Sequence, residues 1–168
     1  MRTVTWAATI STGGQRYEVT RDADGRIVAE TWPTGEQVHT EHDANGRVVS
    51  RVEPGRGTVR FRYDEAGRII RVSDPWNGAR RFAYDAAGQL VSATNALGGV
   101  TRFEYNALGQ RVVTIDPLGG RSERTYDALG RVLSETDPLG RTTRYTYDAA
   151  GRPTKWVDAD GRTLEWGY

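Results

Sequence analysis

The sequence predicts an all-β fold of repeated hairpins: about sixteen short antiparallel strands, curling as a solenoid or as an open segment of a hollow β-shell. Three observations carry that prediction. Glycines recur every 21 residues, the tetrapeptides ending at them are turn sequences, and the intervals are filled with strand-type residues. The 168 residues divide into eight such units and read as a single domain.

The first turn series is D/N-x-x-G: Asp22–Gly25, Asp43–Gly46, Asp64–Gly67, Asp85–Gly88, Asn106–Gly109, Asp127–Gly130 and Asp148–Gly151. A second series sits eleven residues before most of these glycines, at Gly14, Gly35, Gly98, Gly119 and Gly140, and Gly161 continues it. Its clearest copies are Asp-Pro-Leu-Gly, at Asp116–Gly119 and Asp137–Gly140. A type I turn accepts Asp or Asn first, Pro second and Gly last, where a positive φ is often needed. Each unit is therefore two turns joining two strands, and the aspartates Asp64, Asp85, Asp127 and Asp148 with Gly67, Gly88, Gly130 and Gly151 are structural turn residues.

The segments between turns are too short for ordinary helices and rich in Val, Ile, Thr, Tyr and Phe. Before each D-x-x-G turn, Phe61 and Tyr63, Phe82 and Tyr84, Phe103 and Tyr105, and Tyr145 and Tyr147 lie two apart and share one face. That face is buried or lines a space. Arg60 and Arg62, Arg102 and Glu104, and Arg144 and Thr146 point the other way, into water. After the turn, Val28, Val49, Ile70, Val91, Val112 and Leu133 hold one register, and Ile27, Val48, Ile69, Leu90 and Val132 hold the next. The second strand is apolar on both faces near its start.

Sixteen strands at about 4.8 Å would make a ribbon roughly 75 Å wide, and open twisted sheets of that width curl or split. A two-layer stack and a wide tube both satisfy the bend.

Composition narrows the function classes. With 37% hydrophobic and 27% charged residues the chain can fold, and its 23 basic against 22 acidic residues give a net charge of +1. No overall field favours nucleic acid as a partner. There is no cysteine, hence no disulfide, thiolate metal site or cysteine nucleophile. No apolar run approaches the length that inserts into a bilayer, and Met1–Ile10 lacks the pattern of a secretion signal.

Candidate sites are weighed against ordinary structural roles. The recurring aspartates resemble a calcium array, yet one carboxylate per turn already serves the turn, and Asn106 takes the place without charge. His39 and His42 flank Glu41, but residues three apart on a strand face opposite ways. No metal, cofactor or catalytic residue is expected, and the chain reads as a non-enzyme. The tyrosine column Tyr63, Tyr84, Tyr105, Tyr126, Tyr147 and Tyr168 could stack on sugars or line a chamber, or simply form core. The outward Arg60, Arg81, Arg102 and Arg144 form a ladder suited to sulfated or carboxylated polysaccharide, interrupted by Glu123 and Glu165.

The segments YDEAGR at Tyr63–Arg68, YDAAGQ at Tyr84–Gln89, YDALGR at Tyr126–Arg131 and YDAAGR at Tyr147–Arg152 resemble the YD repeats of the RHS family, found in bacterial polymorphic toxins, insecticidal toxin complexes and teneurins. The resemblance spans essentially the whole chain, most clearly Arg60–Tyr168. It implies a strand ribbon spiralling into a shell that encloses a C-terminal cargo domain. Expected partners are then a protein cargo such as a toxin domain, or flanking repeats of a longer parent chain. A glycan and a second copy of the chain are further candidates. The expected setting is secreted or cell-surface, as part of a larger bacterial protein. Tyr168 falls in register with the motif tyrosines, which suggests a segment of a longer array, with a small self-closing protein as the alternative.

Two departures qualify the match. Arg21 and His42 replace the motif tyrosine, with Val19 and Thr40 two residues earlier, so residues 1–45 are either a degenerate N-terminal cap or drifted repeats. In toxin members a DPxG-containing motif accompanies self-cleavage. Here Asp116–Gly119 and Asp137–Gly140 match only its core, Arg111 or Val132 stands where that motif has proline, and the cleavage role is not carried over.

Overall fold

The computed structural model describes the backbone of residues 6–12 and 15–16 and the whole of residues 17–76 and 78–168. Gly14 and the segment before Trp6 lie outside the described residues. Among the described residues sixteen strands are ordered along one sheet in sequence order, with antiparallel pairing. They are β1 (Trp6–Thr12), β2 (Gln15–Arg21), β3 (Ile27–Thr31), β4 (Gln37–His42), β5 (Val48–Glu53), β6 (Gly57–Tyr63), β7 (Ile69–Asp74) and β8 (Gly78–Tyr84). There follow β9 (Leu90–Thr94), β10 (Val100–Tyr105), β11 (Arg111–Ile115), β12 (Arg121–Tyr126), β13 (Val132–Thr136), β14 (Thr142–Tyr147), β15 (Pro153–Val157) and β16 (Thr163–Glu165). The described residues contain no helix. The all-β hairpin array expected from the sequence is the fold observed.

The chain divides into two units, Met1–Arg81 and Phe82–Tyr168. Within each, backbones lie closest between strands adjacent in sequence, and side-chain ion pairs reach one strand further, from Arg51 on β5 to Glu30 on β3 and from Arg121 on β12 to Glu104 on β10. Few side chains among the described residues are fully enclosed. In the first unit they are Val19, Val38, Thr40 and Ser50, and in the second Val113. Val19 and Thr40 are the small residues standing where later repeats carry an aromatic, so the degenerate copies close over compact side chains.

Both turn series share one geometry. The glycine N–H donates to the carbonyl of the turn's first residue, and that residue's N–H donates to the carbonyl four positions on, as in Gly67 to Asp64 at 3.0 Å and Asp64 to Arg68 at 3.0 Å. This is a type I turn followed by a left-handed residue, and Gly67 at φ +82° supplies it.

A register shift follows nearly every described D-x-x-G turn. Arg62 pairs with Arg71, but Tyr63 pairs with Ile69, so Ile70 is an extra residue opposite the tyrosine. The same shift occurs at Tyr105, Tyr126 and Tyr147, and at Arg21 and His42. It explains why two apolar residues stand consecutively there: a bulge places both against a single cross-strand partner.

The outer turns leave large apolar side chains in water. In the second unit Leu97 and Leu118 are 95% and 97% exposed, and Leu108, Leu129 and Leu139 are also exposed.

Candidate functional site

The aspartate of each D-x-x-G turn organises more than its own turn. The Asp43 Oδ1 accepts the N–H groups of Asn45 and Arg47, both at 2.9 Å, while Oδ2 accepts Arg47 Nε at 2.7 Å. Backbone donation from Arg47, then its side chain, holds the Asp43 carboxyl below its ordinary value despite partial desolvation. Asp64, Asp127 and Asp148 are lowered for the same first cause, the N–H four residues on.

The arginine then reaches the next repeat. Arg47 Nη1 donates to the Asp64 carbonyl at 3.2 Å, and its guanidinium carbon lies 4.7 Å from the Tyr63 ring centroid. Arg131 repeats both contacts, to the Asp148 carbonyl at 3.1 Å and over Tyr147 at 4.8 Å. Arg152 lies 4.4 Å over Tyr168. The tyrosine hydroxyl donates to the backbone carbonyl two residues after the preceding glycine, which follows the arginine for Tyr63 to Val48 and Tyr147 to Val132 and follows Gln89 or Gln110 for Tyr105 to Leu90 and Tyr126 to Arg111. Tyr63 and Tyr147 are thus locked to the turn of the preceding repeat through residues one and two after its glycine, and Tyr105 and Tyr126 through the second.

The sequence reading found the tyrosines and aspartates but missed the arginine as their common partner. Its signal was present: Arg follows the glycine at Arg26, Arg47, Arg68, Arg131 and Arg152. Where it is absent the pair adapts. Asn106 Nδ2 donates to Gln110 Oε1 at 2.6 Å, a neutral version of the Asp–Arg bridge.

Tyr63, Tyr84, Tyr105, Tyr126 and Tyr147 are half-buried, whereas Tyr168 is 65% exposed. Arg60, Arg81, Arg102 and Arg144 are exposed. Among the described residues open clefts interrupt the surface, and two of them gather charged side chains. One, of about 550 Å³, lies in the second unit and is lined by Arg111, Glu123, Arg124, Glu135, Arg141 and Asp160 among others. Arg124 occupies the position two before the motif tyrosine and donates through Nε to Glu135 Oε1 at 2.6 Å, and the Tyr145 hydroxyl donates to Glu135 Oε2 at 3.2 Å. Burial, then the Glu135 charge, pushes the Tyr145 hydroxyl up, which keeps it a hydrogen-bond donor. Carboxylates outnumber guanidinium groups in this lining, Asp137 and Asp158 adding to Glu123, Glu135 and Asp160.

The other cleft, of about 570 Å³, lies in the first unit and includes Asp22, Arg26, His39, Glu41 and His42. His42 Nδ1 is buried without a hydrogen-bond partner. His39 and Glu41 are exposed on one face of β4 and His42 follows at the bulge. No group of three or more metal-ligating side chains is present among the described residues.

Comparison with known proteins follows the geometry. The family model described as RHS Repeat matches residues 42–80, 63–99, 84–121 and 126–163. The crystal structure of TcdB2-TccC3-Cdc42 aligns over 92% of this chain at 18% identity with a TM-score of 0.74. The crystal structure of TcdB2-TccC3 aligns over 92% at 19% identity and 0.74, and a Photorhabdus luminescens Tc holotoxin pore structure over 90% at 18% and 0.70. This chain spans only about a tenth of the length of each, 10%, 10% and 9%. No curated protein matches it. The repeat model accounts for most of the sequence, and the chain belongs to the RHS repeat family.

Proposed function

We propose that this chain is a non-enzymatic structural module, a stretch of wall in a larger secreted or cell-surface protein that contains or presents another polypeptide. The observation that carries this reading is how little the sheet encloses. Each strand is hydrogen-bonded only to its sequence neighbours, very few side chains among the described residues are enclosed, and leucines at the turns stand almost wholly in water. A sheet that buries so little by itself suits a part that completes its burial against something else. The conserved-pitch locks between repeats keep such a wall in register without a core. Membership of the RHS repeat family and likeness in fold to toxin-complex proteins support the same role.

The test is protease protection. The polypeptide encoded directly after Tyr168 is produced joined to this chain and its neighbouring repeats, and separately alone. Protection of that segment only in the joined form supports containment. Equal digestion in both forms, or a stop codon directly after Tyr168, contradicts it.

A second reading, a carbohydrate-binding or adhesive surface module, is favoured by one specific observation, a row of arginines on the outward face of β6, β7 and β8.

A further inference from the structure

Arg62 on β6 pairs with Arg71 on β7, and Arg71 pairs with Arg81 on β8. Directly paired residues share a face, so three arginines stand abreast on neighbouring strands about 4.8 Å apart. Arg60 lies two residues from Arg62 on the same strand and face. All four belong to the first unit. Arg60, Arg62 and Arg81 are exposed and Arg71 is half-buried.

Like charges placed directly opposite weaken a ladder. The rest of the sheet avoids the arrangement: Arg124 faces Glu135, Lys155 faces Glu165, and the turn arginines hold aspartates. Arg102 and Arg144 face the neutral Ser92 and Ser134. Among the described residues no carboxylate forms an ion pair with Arg60, Arg62, Arg71 or Arg81, and Arg71 donates only to Ser73 Oγ, at 3.2 Å. The neighbours of Arg60 across the strands, Ser50 and Ser73, are uncharged. With a chain net charge of +1, this is a local concentration rather than a general property.

We propose that Arg60, Arg62, Arg71 and Arg81 form a binding site for a linear sulfated polysaccharide. A guanidinium fork donates paired N–H groups to an oxyanion, and sulfates recurring along an extended chain meet guanidinium groups recurring across the strands. Single-stranded nucleic acid is the weaker fit. The aromatic side chains of β6, Phe61 and Tyr63, alternate onto the opposite face, so no stacking platform accompanies the arginines. This inference deepens the second reading of function and goes beyond the wall role. Protease protection and polysaccharide binding read different properties, so either result stands without the other.

The experiment titrates a heparin-derived decasaccharide into the whole chain by calorimetry. The double variant Arg62→Gln/Arg71→Gln should bind at least about tenfold more weakly, Arg162→Gln, at an exposed arginine outside the cluster, should bind as the parent does, and affinity should fall with added salt. Because the double variant removes like-charge repulsion, its melting temperature should hold or rise, which separates lost binding from lost folding. No binding by the parent chain, unchanged binding by the double variant, or equal binding of an oligothymidylate of matched charge overturns the proposal.

Discussion

The Tyr63 hydroxyl donates to the Val48 carbonyl oxygen at 2.7 Å, across fifteen residues and into the preceding repeat. Tyr147 makes the same bond to Val132 at 2.9 Å. In a sheet with almost no enclosed core, such locks between repeats carry a large share of the cohesion. Tyr147→Phe keeps the ring under Arg131 and deletes only the hydroxyl, so it should cost about 0.5–1.5 kcal/mol. Urea unfolding should show a lower midpoint with an unchanged slope. An unchanged midpoint means that water serves the Val132 carbonyl equally well.

His42 occupies the place of a motif tyrosine, with Arg26 where Arg47 stands relative to Tyr63, and its Nδ1 is buried unpaired. A phenol at this position would extend toward the Ile27 carbonyl, the counterpart of Val48. His42→Tyr should therefore stabilise the protein by about 1 kcal/mol and raise its thermal midpoint. A lower midpoint shows that the first repeats have settled into a packing that no longer admits the ring.

The turn aspartates make stability depend on acid. The carboxyls of Asp43, Asp64, Asp127 and Asp148 are held down in the folded chain, first by backbone N–H donors and then by arginine. A depressed folded value means that the stabilisation is complete above the unfolded value near pH 4 and is lost as pH falls through the lower folded value. Urea midpoints should stay level from pH 7 to about 5 and fall steadily below pH 4. Asp64→Asn should lower the midpoint at pH 7 and flatten its acid dependence, and an equally steep dependence in that variant contradicts the assignment.

Gly67 tests the turn geometry separately from side-chain contacts. Its φ is +82°, and an added Cβ would meet only Arg47 Nη1, at an ordinary 3.7 Å. Gly67→Ala should cost about 1–2 kcal/mol, all of it from forcing a left-handed conformation on alanine. Denaturant unfolding reads the loss, and an unchanged stability shows that the turn can adopt another conformation.

Much of this fold was legible because its signals are local and repeated. Asp, Pro and Gly at fixed offsets define the turns, and alternation placed Phe61 with Tyr63 against Arg60 with Arg62. The bulge was only half legible: paired apolar residues such as Ile69 and Ile70 appeared as a strand greasy on both faces, because a register shift depends on hydrogen bonding that no single strand reveals. The Asp43–Arg47–Tyr63 lock joins residues twenty apart in the chain, and one-strand patterns do not connect them. For the same reason the arginine ladder was read along the repeat, as Arg60, Arg81, Arg102 and Arg144. The register instead sets Arg81 beside Arg71 and Arg62. Which side chains are enclosed, such as Val38 and Val113, is also a tertiary fact, and both a stack and a tube satisfied the sequence.

The central claim is that consecutive hairpins hydrogen-bond edge to edge in a register set by the bulge that follows the D-x-x-G turn. Interstrand nuclear Overhauser contacts across β6 and β7 test it most directly. The account predicts contacts joining Phe61 with Val72 and Arg62 with Arg71, then a step to Tyr63 with Ile69. Continuous register with no step at Tyr63, or backbone pairing between strands that are not sequence neighbours, would contradict it.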